Sequence, residues 1–402
     1  MQKLITGFLL AGCMTALPLY AEDQATSDAY AKAGNEELLL SGLRHLREQR
    51  VDSALDDLRT LTDQRPDFRL AQLIYADLMA ARAAPLQGVG HHQSMDDKKL
   101  AGFISEAKAR LLIEQEKPGP DMVPAAMIQL APDQKYALVM DTRLHRLFIF
   151  ENREGIPHLI KDYYASYGRG GTGKERKGDL KTPLGVYFVT GRFSDAQLPP
   201  RYGSGALPLN YPNAWDARKG RTGNGIWLHG SPFETYSRAP EASEGCISLS
   251  NPDFTMLDQL VDIRNTPVIV GHNVRWMKQQ DWLAQQVDYR QLIENWRTDW
   301  ESLDNDRYLG HYSEGYKNGN WDYKRFANHK RKVNRAKKYV KVGVKQLSLF
   351  RYPDEPGLLV ATFRQSYKSS NYKGNSTKRQ YWRLENEGWK IAYEGKPQRG
   401  KP

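Results

Sequence analysis

Two side chains in this sequence have the types and spacing that acyl transfer needs. His229 is followed by Gly230. After twelve intervening residues comes Ser243-Glu244-Gly245-Cys246-Ile247-Ser248-Leu249. A cysteine thiolate is a strong nucleophile, and a nearby imidazole can take the thiol proton. Gly245, just before the cysteine, permits unusual dihedrals and close approach of backbone to a substrate. Backbone N–H groups near Gly245 and Cys246 could hold an oxyanion. Ser243 could orient the imidazole through its hydroxyl or its carbonyl, as the third member of a triad does.

These residues need strands to hold them, and the sequence supplies strand-like runs. Tyr136–Met140 and Leu144–Phe150 read as strands joined by a turn near Asp141-Thr142. Further strands end at Tyr163–Tyr167, follow Thr182-Pro183 over Gly185–Thr190, and run through Ile226–Leu228 into His229. The Gly-rich stretch from Gly168 to Gly178 lacks the lysine spacing of a phosphate loop. Before this β-rich part, residues 36–82 show helical periodicity. Leu39, Leu43 and Leu46 share one face, Val51, Ala54, Leu55, Leu58 and Leu61 a second, and Ala71, Ile74, Tyr75 and Leu78 a third. The piece around Pro66 resembles little more than one tetratricopeptide-type unit, and a plain helical hairpin fits as well. Residues 84–99, with His91-His92, read as a loop, adjacent histidines being poor metal evidence. A helix near 100–116 leads to a linker at Lys117-Pro118-Gly119-Pro120. From about residue 281 a helix, Trp282–Trp300, precedes strands at 339–347, 358–367, 381–384 and 389–393, which argues for a separate α+β module.

Length and composition bound the class. A chain of 402 residues with 40% apolar and 26% charged residues is not wholly disordered, collagen-like or a polytopic membrane protein. The start, MQKLITGFLLAGCMTALPLYAED, has a lysine, an uncharged run from Leu4 to Leu17, and Ala21 before Glu22-Asp23. It reads as a signal peptide cleaved after Ala21, giving a periplasmic protein. A lipobox reading, Leu10-Ala11-Gly12-Cys13 with Cys13 lipidated, is the alternative. Simple cleavage leaves Cys246 as the one cysteine of two, with no intramolecular disulfide partner. Residues 317–402 carry 22 Lys and Arg against 6 Asp and Glu, a net of +16, so the remainder is net −5. This is either a solvated basic face or an attraction to a polyanion. For an exported protein, phospholipid, lipopolysaccharide or cell-wall carboxylates suit that role better than nucleic acid.

The His-Gly strand end followed by Ser-x-Gly-Cys-hydrophobic resembles the catalytic domain of the L,D-transpeptidases, the YkuD family. Lys181-Thr182-Pro183-Leu184-Gly185-Val186-Tyr187 is similar to that family's strand opening, and Gly220–Gly230 to the approach to its histidine. The resemblance covers roughly residues 130–272. It implies that Cys246 is the nucleophile and His229 its base, with Gly230, Ser243 and Gly245 completing the catalytic set. It also implies a peptidoglycan stem-peptide substrate cut between diaminopimelate and D-alanine, no metal or organic cofactor, and acylation by carbapenems. The sequence departs from the family where Glu244 and Ser248 replace commonly basic residues. Arg218, Lys219 and Arg221 are the candidates to replace those cations at the substrate, with Trp227 and Tyr187 as further substrate contacts. Glu244 is expected to face solvent or pair with a basic residue.

The module at 282–395, with Trp296-Arg297-Thr298-Asp299-Trp300, Phe363, Gln365, Tyr367 and a closing Trp389-Lys390-Ile391, resembles nuclear transport factor 2-like domains. Such domains bind ligands or dimerise, so a homodimer is among the expectations. The expected architecture is therefore multidomain: a signal peptide (1–21), a tetratricopeptide-like helical segment (30–116), a mainly-β catalytic domain (130–272) and an α+β module (282–395). The combination resembles the cell-shape L,D-carboxypeptidase group. The functional expectation is a periplasmic cysteine L,D-transpeptidase. The alternatives are a hydrolase of the same linkage or of a wall–lipoprotein bond, and a non-catalytic wall-binding adaptor.

Overall fold

The computed structural model describes residues 34–83, 88–90 and 96–398. The expected leader with Cys13 and the pair His91-His92 lie outside them. The chain divides into two compact units, residues 1–66 and 67–402. The first holds α1 (Asn35–Arg47) and α2 (Val51–Gln64). Ala54, Leu55, Leu58 and Leu61 on α2 are buried, as helical spacing predicts, although Val51 is exposed. On α1 only Leu39 of the expected face is buried, with Leu38, Leu40 and Gly42, while Leu43 and Leu46 are half-buried. Gly42 of α1 faces Leu58 and Ala54 of α2.

The second unit opens with α3 (Arg69–Ala81) and α4 (Asp97–Glu116). The buried stripe of α3 is Leu70, Ala71, Leu73 and Asp77; of the face that the spacing suggests, Ala71 is buried while Ile74, Tyr75 and Leu78 are half-buried. Asp77 is drawn inside because its carboxylate accepts the Gly90 N–H at 2.7 Å. α4 reaches into the stretch expected to be loop, because the Asp96 side chain caps it by accepting the Lys98 N–H at 3.4 Å. Within the helix Arg110 and Glu106 form a buried ion pair at 2.8 Å, and Arg110 docks the helix through its aromatic contacts. The Arg110 guanidinium lies 3.9 Å over the Tyr164 ring and 5.1 Å over Phe68.

After α4 the expected linker at Lys117-Pro118-Gly119-Pro120 carries neither helix nor strand, and β1 (Met122–Pro124) and β2 (Met127–Gln129) follow it, both used by the C-terminal module. The β-rich domain follows with β3 (Tyr136–Asp141), β4 (Arg146–Arg153), β5 (Ile156–Tyr164) and β6 (Tyr167–Gly168). Next come β7 (Gly185–Phe188), β8 (Phe193–Ser194), β9 (Gly205–Pro208) and the short α5 (Ala214–Arg218). Then come β10 (Trp227–His229), β11 (Glu241–Ser243), β12 (Ile247–Ser248), α6 (Asn251–Leu260) and β13 (Pro267–Gly271). Two larger sheets result, ordered β5-β4-β3-β13-β7 and β12-β10-β9-β8, and β6 and β11 pair as a small third one. Leu138, Met140, Leu147 and Ile149 from the first share one core with Leu207, Leu228 and Ile247 from the second, and with Phe254 and Leu257 of α6. Alternation along each strand sends these apolar residues inward and leaves the opposite face of β10 and β12 for chemistry.

The C-terminal module begins at β14 (Trp276–Lys278), which pairs with β1, and the long α7 (Gln279–Glu301). It continues through α8 (Asn305–Leu309), the small β15 (Lys317–Asn318) and β16 (Trp321–Asp322) pair, and α9 (Tyr323–Arg335). Four long strands close it: β17 (Val340–Arg351), β18 (Leu358–Ser369), β19 (Lys373–Glu385) and β20 (Gly388–Gly395). The sheet is antiparallel in the order β2-β17-β18-β19-β20. α7 is tied to its edge strand, with Trp282 Nε1 donating to Met127 O and Gln286 Nε2 to Ile128 O at 2.8 Å. Trp296, Trp300, Phe363 and Trp382 pack in one aromatic core. The fold is thus multidomain, with helices first, a mainly-β domain next and an α+β module last. None of the described helices is long and apolar enough to cross a membrane.

Candidate active site

The strand pairing brings His229 and Cys246 together. β10 and β12 run parallel, with Leu228 opposite Ile247 and His229 opposite Ser248. Leu228 and Ile247 are both fully buried on the core side. Trp227, His229, Cys246 and Ser248 therefore project from the other face, with Cys246 diagonal to His229. Their seventeen-residue separation in sequence becomes one diagonal step across neighbouring strands.

The histidine is held in one tautomer. Its Nδ1 lies 2.6 Å from the carbonyl oxygen of Gly230. A carbonyl can only accept, so Nδ1 carries the proton and Nε2 keeps its lone pair. Burial pushes the imidazole pKa down to about 4, with Gly230 opposing and the charges of Arg238 and Arg201 assisting. The ring is neutral in ordinary buffers. Tyr202 meets it edge-on at 5.0 Å. Gly230 is crowded on its Cβ side, where an added carbon would stand 2.2 Å from Asn251 Oδ1 and 3.0 Å from the Ser204 backbone nitrogen.

The cysteine is also neutral at rest. Its Sγ donates to Gly225 O at 3.3 Å. The residue is half-buried. Burial pushes the thiol up to about 11, against the Trp227 backbone N–H and the charges of Arg238 and Arg201. Gly245 holds φ at +120°, and a Cβ there would strike Lys181 O at 2.7 Å. The turn is pinned from two sides. Thr182 Oγ1 donates to Gly245 O at 2.9 Å, and Ser243 Oγ donates to Cys246 O at 2.6 Å.

Several expected roles are reassigned. Ser243 does not orient the imidazole. Its hydroxyl also accepts the Gly245 N–H at 3.1 Å, so it braces the nucleophile turn and occupies an amide expected for the oxyanion. Gly230 O takes the orienting role, and Ser248 Oγ donates to that same oxygen at 3.2 Å. Arg218 points away, donating to Gly315 O and to Lys317 O. Lys219 pairs with Glu355, and Arg221 with the fully buried Asp216 at 2.8 Å. Tyr187 is fully buried and its hydroxyl donates to Leu184 O at 3.1 Å, which makes it core rather than a substrate contact. Trp227 does stand at the site, half-buried against Tyr202 at 4.9 Å and Phe193 at 5.6 Å. Glu244 is exposed and pairs with Arg169 at 3.3 Å, as expected. Sequence reasoning missed Arg201 and Arg238, whose charges act on both His229 and Cys246. No spacing rule could have found them, since they reach the site from two different loops. Among the described residues no group of three His, Cys, Asp or Glu side chains could hold a metal ion.

Residues 135–270, which include this His–Cys pair, match the YkuD family, described as the L,D-transpeptidase catalytic domain. The chain carries an L,D-transpeptidase catalytic domain. Behind the transpeptidase domain, residues 288–395 match the Cds6 C-terminal NTF2-like domain. Among solved structures, Bd1075 of Bdellovibrio bacteriovorus is 27% identical, with a TM-score of 0.61 over 68% of this chain and 98% of that one. The helical cell shape determining protein Pgp2 of Campylobacter jejuni is 24% identical, with a TM-score of 0.57 over 68% of this chain and 95% of that one. The Pgp2 likeness is one of fold. No curated protein matches this sequence.

Proposed function

We propose that the protein is a periplasmic cysteine L,D-transpeptidase that remodels peptidoglycan at the bond between diaminopimelate and D-alanine. The observation that carries this reading is the His229 tautomer fixed by Gly230 O, on the strand face shared with Cys246. Cys246 Sγ turns from Gly225 O toward His229, and Nε2 takes its proton. The sulfur attacks the diaminopimelate carbonyl carbon, and the carbon–nitrogen bond to D-alanine breaks. The imidazolium returns the proton to the departing amine, leaving a thioester on Cys246. An amine of a second stem peptide then displaces the sulfur. Water in its place gives the L,D-carboxypeptidase reaction, the second reading. Ser248, where the family commonly carries arginine, favours that second reading by removing one cation from the site.

The basic C-terminal module is proposed to hold an anionic group of the cell envelope. A cavity of about 470 Å³ there is lined by Lys330, Lys337, Trp300, Gln365 and Tyr367. The Trp300 Nε1 and Gln365 Oε1 atoms at it are buried without a hydrogen-bond partner.

The deciding experiment is intact-protein mass spectrometry after incubation with disaccharide-tetrapeptide, for wild type and C246A. A wild-type adduct absent from C246A, with release of D-alanine, is the expected result. Dimeric stems among the products mean transfer, and free tripeptide stems mean hydrolysis. Folded wild-type protein giving neither adduct nor D-alanine would sink the reading.

A further inference from the structure

The cations that the fold consumes and those that it leaves over divide cleanly at this site. Arg218, Lys219 and Arg221 are committed to carbonyls or carboxylates of the protein itself. Arg201 and Arg238 have no carboxylate partner among the described residues. Arg201 donates from Nη2 to the Tyr202 hydroxyl at 3.1 Å, and its guanidinium lies 4.9 Å over the Tyr202 ring. Tyr202 in turn abuts His229, so Arg201 stands one aromatic ring away from the catalytic base. Arg238 lies on the loop between β10 and β11 and donates from Nη2 to Ala242 O at 2.6 Å. Glu244, the acid nearest the nucleophile in sequence, makes its ion pair with Arg169 and acts on Arg238 only through its charge.

We propose that Arg201 and Arg238 form a carboxylate clamp that selects stem peptides ending in a free D-amino-acid carboxylate. The proposal rests on the acyl-transfer reading of the same site. A guanidinium presents five N–H donors in a planar fork that matches the two oxygens of a carboxylate. Among the described residues each of these arginines makes a single side-chain hydrogen bond to the protein, which leaves the rest of the fork available. Arg238 is half-buried and feels Glu244 only through its longer-range charge, so an incoming carboxylate offsets part of its desolvation cost, whereas Arg201 is exposed and carries no such cost. Arg201 reaches His229 through the Tyr202 ring, and Arg238 is anchored to Ala242 O, one residue before the Ser243 that braces the Cys246 turn; the charges of both act on His229 and Cys246.

The helices ahead of the catalytic domain build half of this clamp. The loop carrying Arg238 is fastened at three points. Tyr236 N–H donates to Asp67 O at 3.0 Å, Ser237 Oγ donates to Glu106 Oε1 at 2.6 Å, and the Tyr164 hydroxyl donates to Arg238 O at 2.9 Å. Phe68 packs on Tyr236 with ring centroids 4.4 Å apart. The start of α3 and the middle of α4 thus set where Arg238 stands.

The test uses the full chain and two substrates, disaccharide-tetrapeptide and the same compound with its C-terminal carboxylate converted to an amide. Release of D-alanine or D-alaninamide is followed for wild type, R201Q, R238Q and R238K. Wild type should prefer the acid. The ratio of kcat/KM for acid over amide should fall by about 10-fold or more in each glutamine variant, mainly through KM, with R238K keeping part of it. Arg201 is exposed, so R201Q decides the matter if R238Q fails to fold. Equal losses on both substrates, or a wild type indifferent to the carboxylate, would overturn the clamp while the acyl-transfer reading stands. A wild type that releases neither product overturns the acyl-transfer reading and the clamp with it.

Discussion

The thiol of Cys246 is hydrogen-bonded to the carbonyl of Gly225, with Sγ and O 3.3 Å apart. A carbonyl partner stabilises the protonated thiol and does nothing for a thiolate. Together with burial it makes the resting nucleophile a neutral thiol beside a neutral imidazole. Deprotonation is therefore coupled to attack rather than completed beforehand.

Alkylation tests this directly. The thiol pKa is pushed up to about 11, so iodoacetamide should label Cys246 slowly at pH 7 and faster with each rise in pH up to about 11. Intact-mass spectrometry against time at several pH values reads the rate. Fast labelling at pH 7 that levels off below pH 8 would mean a preformed thiolate and would overturn the coupled mechanism.

His229 should set the acid limb of activity. Its imidazole is a base only when neutral, so kcat/KM should hold from neutral pH downward and fall near pH 4. H229Q should lose about 10²- to 10⁴-fold in kcat. The same depression has a cost in stability. The unfolded histidine takes a proton near pH 6.5, while the folded one resists until about pH 4. The unfolded chain then binds more protons in that window, so stability drains as pH falls from about 6.5 to about 4. Thermal melts across that range should show the slope in wild type and a shallower one in H229Q.

Arg221→Ala separates a structural cation from a substrate-binding one. Arg221 compensates Asp216, which is fully buried and receives the Asn213 N–H at 3.1 Å. Burial raises the Asp216 pKa, and Arg221 opposes that rise. Removing the guanidinium leaves a buried carboxylate without its cation, at a cost of about 3–5 kcal/mol. Calorimetry should show a marked fall in Tm. At a temperature where the variant is folded, its KM for disaccharide-tetrapeptide should stay within about 3-fold of wild type, because no contact of Arg221 faces Cys246. A large KM increase with unchanged Tm would restore Arg221 to the substrate site.

The sequence by itself determined what chemistry was present and which local elements would carry it. Nucleophile and base announce themselves by residue type, and the glycines beside them by the crowding at Gly230 and the dihedral at Gly245 that favours glycine. Strand alternation and helical periodicity are local properties, so the strands around His229 and the helices α1 to α3 were legible. The partners of charges and hydroxyls were not. Arg218 finds Gly315, ninety-seven residues away, and β2 joins a sheet whose other strands begin at Val340. Ser243 does not hold the imidazole because Nδ1 is bonded to Gly230 O, the next residue along its own chain, while the Ser243 hydroxyl is taken by Cys246 O. Which arginines remain for a substrate depends on which are already neutralised. That is decided by distances through space between segments far apart in the chain, and only the folded structure contains them.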